Sequence, residues 1–242
     1  MSTNPQDGSQ PTIVLVHGAF AESASWNGVI HRLQEQGYTA IAAANPLRSV
    51  SGDAGFLASI LESIEGSVVL VGHSYGGSVM SNAALGKDNV KALVFVAAFA
   101  PEEGESIAEL SGRSPGSTLG DTLESVPLSD GTTDLYIRQE MYHQQFAADA
   151  PAEQAALDAV TQRPLRDVAQ NEGAGAPAWK SIPSWFVFGE LDKNIPVAAH
   201  RFMAERAGAR EVVEIEGASH TVGGSHPEEV ADMILRALKA VE

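Results

Sequence analysis

The chain has 242 residues and no cysteine, and its 31 Asp and Glu against 15 Lys and Arg leave a formal net charge of −16. A surface that acidic repels phosphate backbones and anionic lipid, so neither nucleic acid nor a membrane surface is expected as a partner. The missing thiols exclude disulfides, thiolate-bound zinc and a cysteine nucleophile together, while 44% hydrophobic and 19% charged residues suit a folded domain with a full core.

Met1 to Pro11 is polar, with neither the basic nor the apolar stretch of a secretory leader, and no later apolar run nears the about 18 residues of a membrane helix. A cytoplasmic protein with a short loose tail is expected. Compact apolar segments of strand length then follow at Thr12 to Val16, Thr39 to Ala43, Ser67 to Val71, Ala92 to Val96, Ser184 to Phe188 and Glu211 to Ile215. Between them the apolar residues recur every three or four positions: Trp26, Val29, Ile30 and Leu33, then Leu57, Ile60, Leu61 and Ile64. Val230, Met233, Ile234, Ala237, Leu238 and Val241 form a last helical stripe, with Ser225 and Glu228 spaced as a capping box at its start. Strand and helix alternate, which predicts an α/β, mostly parallel, doubly wound sheet with right-handed crossovers.

The alternation breaks between Ala100 and Ile182. Loop-like Ser111 to Ser117 and Gly173 to Pro177 flank helical stretches around Leu135 to Phe146 and Pro151 to Val160, with no convincing strand between them. The expected organisation is a core of residues 1–99 and 182–242, with a small helical cap, 100–181, inserted after the strand ending near Val96. Open α/β sheets bind ligands outside the carboxyl ends of their strands, which is where such a cap would lie.

Gly72-His73-Ser74-Tyr75-Gly76 joins an apolar strand to a helix of small residues. A serine at the apex of so tight a turn is pushed out of the sheet edge, and the flanking glycines let strand and helix approach. A serine hydroxyl is a poor nucleophile at neutral pH and needs a base, which in turn needs an orienting group. Of seven histidines, His220 belongs to the segment Glu216 to His220, which directly follows the strand Glu211 to Ile215 and opens the last loop, so its imidazole belongs at the edge where Ser74 sits. His73 is expected to point away from Ser74, and His17 to serve structural hydrogen bonds. His31, His143, His200 and His226 read as solvated or structural. Asp192 follows the strand Ser184 to Phe188 in the same manner and is the preferred acid, with Glu190, Glu102 and Glu103 as alternatives. The order Ser74, Asp192, His220 is that of α/β-hydrolases rather than of the other serine-triad folds. An oxyanion hole is then expected from the backbone N–H groups of Tyr75 and Ala19, with Gly18 giving the loop freedom to turn.

Val14 to Ala19, Trp26, Val71 to Gly77, Val94 to Pro101, Asp192-Lys193 with Ile195-Pro196, and Glu216 to His220 together resemble the α/β-hydrolase superfamily. Within it they are similar to the branch of plant methylesterases, the salicylate-binding esterase and hydroxynitrile lyases with their bacterial relatives. The resemblance is close beside the strands and weak in the cap. It implies the α/β-hydrolase fold and a carboxylesterase-type serine hydrolase that cleaves small carboxylic esters through an acyl-enzyme on Ser74. The lyases of the branch carry threonine where Gly18 stands and lysine where Thr221 stands, so the resemblance favours its hydrolases. A cofactor-free lyase, a C–C hydrolase, a perhydrolase or a slow ligand-binding receptor on the same three residues are the alternatives. No metal or organic cofactor is called for. Phe20, Tyr142, Phe146 and Trp179 are the candidate substrate-binding side chains; monomer and homodimer both stay open.

Overall fold

The computed structural model describes residues 10–241. In chain order it runs through β1 (Thr12–Val16), α1 (Asn27–Glu35), β2 (Ala40–Ala43), α2 (Val50–Glu62), β3 (Val68–His73), α3 (Tyr75–Ala83) and β4 (Val90–Val96). An insertion follows, made of α4 (Ile107–Gly112), β5 (Leu123–Pro127), β6 (Thr133–Ile137), α5 (Gln139–Phe146), α6 (Ala152–Thr161), β7 (Leu165–Arg166) and α7 (Asp167–Asn171). The chain returns through β8 (Ser184–Gly189), α8 (Val197–Arg206), β9 (Glu211–Ile215), α9 (Val222–Ser225) and α10 (Pro227–Lys239).

Six parallel strands form the central sheet in the order β2-β1-β3-β4-β8-β9. The inner strands are apolar on both sides because helices cover both faces: α1 packs with α10 against one, α2 with α3 against the other. Every residue of β3 and β8 is buried, whereas β9 at the edge alternates between covered and exposed positions. Each fully buried Val, Leu, Ile or Phe is worth about 1.5–3 kcal/mol, so these strands carry much of the stability.

The insertion lies where the sequence places it, after β4, but it is not purely helical. β5, β6 and β7 make a three-stranded antiparallel sheet beside its helices. The run around Leu135 therefore divides, with Leu135 in β6 and the helix beginning only at Gln139. β5 is mostly exposed and ends in Pro127, tolerated because a sheet edge needs no donor there. The cap is tied to the core by Arg48, whose guanidinium meets Asp134 at 2.6 Å and Pro164 O at 2.7 Å, and by the Tyr142 hydroxyl, which donates to Phe20 O at 2.9 Å.

The predicted apolar stripe is buried from Val230 to Leu238, with Val241 half-buried past the end of α10, but the capping box does not form. His226 occupies the N-cap position, Pro227 starts the helix, and Ser225 ends α9, its hydroxyl donating to Thr221 O. Proline at the first helical position lacks only a donor that would go unused there, and its fixed φ suits the helix.

Candidate active site

Ser74 sits between β3 and α3 at φ 53°, ψ −123°, a backbone that L-residues rarely adopt. Its surroundings hold it there. Ser74 N donates to Val96 O, and Ser74 O accepts from Phe99 N and Gly77 N. A Cβ on Gly76 would lie 2.4 Å from Val16 O, and one on Gly72 would lie 2.7 Å from Gly76 O. Only glycine lets the turn close this tightly.

The other two residues reach the same edge. Asp192 leaves the end of β8 and His220 the end of β9, and both side chains are fully shielded from solvent. Gly189 makes this meeting possible, since a Cβ there would press to 2.3 Å from Ala218 O. His220 Nδ1 donates to Asp192 Oδ2 at 2.7 Å. Asp192 Oδ1 accepts from the N–H groups of Asn194 and Ile195, at 2.8 and 2.9 Å. Burial works to raise the Asp192 pKa, but the facing His220 and the hydrogen bonds from His200 and His220 outweigh it and hold the carboxyl well below the usual range. The opposite ring atom, His220 Nε2, is buried and has no partner, so the bond to Ser74 is open in this structure. Unliganded sites often leave that bond long until substrate arrives.

The alternative acids lie elsewhere. Glu190 is exposed and accepts from Gly217 N, Glu102 pairs with Lys180, and Glu103 lies at the surface. Of the expected oxyanion donors, Tyr75 is the first residue of α3, where an N–H has no partner inside the helix. Ala19 follows Gly18, on which a Cβ would stand 2.6 Å from Ser74 Cβ. The Tyr75 side chain turns the other way, its hydroxyl donating to buried Asp53 at 2.8 Å.

A cavity of about 360 Å³ lies between cap and core. Phe20, Tyr142 and Phe146 line it, together with Trp26, His73 and Thr221. Trp179 does not; its indole N–H donates to Pro101 O at 3.0 Å, which corrects its placement among the substrate-facing side chains. The wall includes His73 and Thr221, the chain neighbours of Ser74 and His220, rather than those two residues themselves.

His73 meets the base loop directly. Expected to point away from Ser74, it donates from Nε2 to His220 O at 3.1 Å, and its ring lies 4.8 Å from that of His220. Of the two roles expected for His200, solvated or structural, the structure shows the second: fully buried, it reaches Asp192 Oδ2 at 3.0 Å. His17 takes the structural part expected of it, accepting from Asn45 N at Nε2 and donating from Nδ1 to Gly18 O. Cap and base loop also meet directly, for Asp149 accepts from the Ser219 hydroxyl and lies 3.1 Å from His226 Nε2. Among the described residues no three His, Asp or Glu side chains are gathered to hold a metal, and no helix is long and apolar enough to cross a membrane.

Burial lowers the pKa of His17, His73 and His200 below 6.5, that of His73 to about 3. An unfolded chain takes up these protons as pH falls through about 6.5, while the native state resists until lower pH. Unfolding therefore binds protons below pH 6.5, and stability falls with pH at about 1.4 kcal/mol per pH unit for each histidine involved. Urea unfolding at pH 7, 6 and 5 should show the midpoint dropping stepwise at constant slope. A midpoint that stays level would contradict the three buried neutral rings.

A family model described as "Alpha/beta hydrolase family" matches residues 13–233. The chain belongs to that family. It is similar to esterase PIR7B of Oryza sativa subsp. japonica, at 26% identity over 97% of this chain and 98% of the relative. It is equally similar to an alpha-hydroxynitrile lyase of Arabidopsis thaliana, at 26% identity over 91% and 94%. Among solved structures, polyneuridine aldehyde esterase superposes with a TM-score of 0.80 over 94% of this chain and 99% of its own, at 21% identity, a likeness of fold.

Proposed function

We propose that this α/β-hydrolase is a serine esterase that cleaves small, uncharged carboxylic esters through an acyl-enzyme on Ser74. The observation that carries the reading is the strained, buried turn at Ser74 on the sheet edge that also holds the Asp192–His220 pair. His220 Nε2 takes the Ser74 proton as Oγ bonds to the ester carbonyl carbon. The carbonyl oxygen gathers negative charge and is received by the N–H groups of Ala19 and Tyr75. As the tetrahedral centre collapses, the C–O bond to the alcohol breaks and His220 returns the proton to the leaving oxygen. Water, deprotonated by His220, then attacks the acyl carbon and releases the acid and Ser74. Throughout, Asp192 holds the imidazole in the tautomer that keeps Nε2 free and stabilises the imidazolium.

The relatives include both esterases and a lyase, and the space at Gly18 favours hydrolysis. The resembled lyases have threonine at this position, and here any Cβ would crowd Ser74 Cβ at 2.6 Å. Thr221 likewise replaces the lysine that would face a departing cyanide. Side-by-side assays of p-nitrophenyl ester hydrolysis and of benzaldehyde release from mandelonitrile should give ester turnover and only background aldehyde. Strong release without ester turnover would assign the site to cyanohydrin cleavage instead.

A further inference from the structure

His200 is a buried titratable side chain that the mechanism above does not use. It lies in the first turn of α8, fully enclosed, its ring stacked on Phe188 at 4.7 Å and 8°. Its Nε2 meets Asp192 Oδ2 at 3.0 Å, the same oxygen that receives His220 Nδ1 at 2.7 Å. An ionised carboxylate only accepts, so His200 must carry its hydrogen on Nε2. Its Nδ1 has no partner, and a proton there would be a buried donor with nothing to bond. Burial likewise lowers its pKa. The ring is thus a fixed, neutral donor.

Resting on the triad reading above, we infer that His200 is a positioning residue for the acid: by sharing Asp192 Oδ2 with His220, it limits how strongly the carboxylate holds the proton of the base. With Oδ1 occupied by two backbone N–H groups, all four acceptor sites of Asp192 are filled and the carboxylate cannot swing toward one histidine alone. Each further donor spreads its charge and weakens its pull on the imidazolium that forms during turnover. Removing the His200 donor should therefore strengthen the pull of Asp192 on that imidazolium, which the pH dependence of activity reads. The other titratable groups facing this cluster are His73, whose ring lies 4.8 Å from that of His220, and Glu214 of β9, paired with Arg201 at 2.7 Å. Neither touches the hydrogen bond in question.

The test compares His200→Phe, which keeps an aromatic ring against Phe188 but removes the donor, with His200→Gln, which keeps an N–H. kcat/KM for p-nitrophenyl acetate is followed against pH, with Tm as a separate readout. In the Phe variant the acidic limb should move up by about half to one pH unit. Its kcat should fall about 10-fold while KM changes less than about two-fold. The Gln variant should restore both the limb and most of kcat, whatever either change does to Tm. An unmoved limb in the Phe variant, or an equal displacement in both, would overturn the role. Should the Phe variant not fold, His200→Met gives the same comparison without a donor. If Asp192→Asn keeps full turnover the triad reading itself fails; if it is inactive and the limb does not move, only the part given to His200 falls.

Discussion

Ser74→Ala should lower ester turnover by on the order of 10⁴-fold or more, while leaving the fold intact. The substitution keeps Cβ and therefore the strained backbone at φ 53°, so the hydrogen bonds from Phe99 and Gly77 to Ser74 O remain. What it removes is the oxygen proposed to bond to the acyl carbon. The residual rate, about 10³-fold over water, would come from the N–H groups of Ala19 and Tyr75 and from binding, which do not need the hydroxyl. A fluorophosphonate makes the check direct, since it forms an Oγ–P bond and expels fluoride. Wild-type protein should be labelled and the variant left unlabelled; labelling of the variant at the wild-type rate would move the nucleophile elsewhere.

Asp192→Asn should fold and yet lose about 10⁴-fold in kcat. The backbone N–H groups of Asn194 and Ile195 will keep the amide oxygen, which turns the NH₂ toward His220. An imidazole facing a donor must place its lone pair on Nδ1 and its hydrogen on Nε2, and that tautomer cannot take a proton from Ser74. Glu190→Gln is the control. Its carboxylate is exposed and bonds only to Gly217 N, so a loss of no more than a few-fold is expected. A larger loss at Glu190 than at Asp192 would show that the acid has been misassigned. Both variants are read by steady-state kinetics, with circular dichroism to confirm the fold.

The core strands are legible in the sequence because burial on both faces demands unbroken apolar runs, as in Val68 to Val71 and Trp185 to Phe188. Ser74 and Asp192 are legible for a related reason, since each stands past such a run, whereas His220 follows the alternating edge strand β9; parallel strands all end at one edge. The small sheet in the cap is not. β5 is solvated along most of its length and β7 has only two residues, so neither leaves an apolar pattern. The one local signal was Asp130-Gly131, where Gly131 takes φ 84° to turn the hairpin between β5 and β6. His200 leaves no trace of its kind either. A single histidine on a helix looks the same whether it faces water or a carboxylate, and only the turn at Pro196, which aims α8 back past Asp192, decides between them. The contact of His73 with the His220 loop is not legible either, because strand alternation says which face a residue takes but not which neighbouring loop will fold over it.

Asp149 lies in the cap loop between α5 and α6 and binds both Ser219, the residue before His220, and His226, the residue that opens α10. The cap is therefore no interchangeable lid. Transplanting a foreign cap to alter substrate choice would also remove Asp149 and its hold on the loop that carries His220, so the cap and the order of that loop are coupled in one piece of chain. An engineer who wished to vary the first without the second would graft only the stretch ahead of Asp149 and leave that carboxylate, with the two residues it holds, in place.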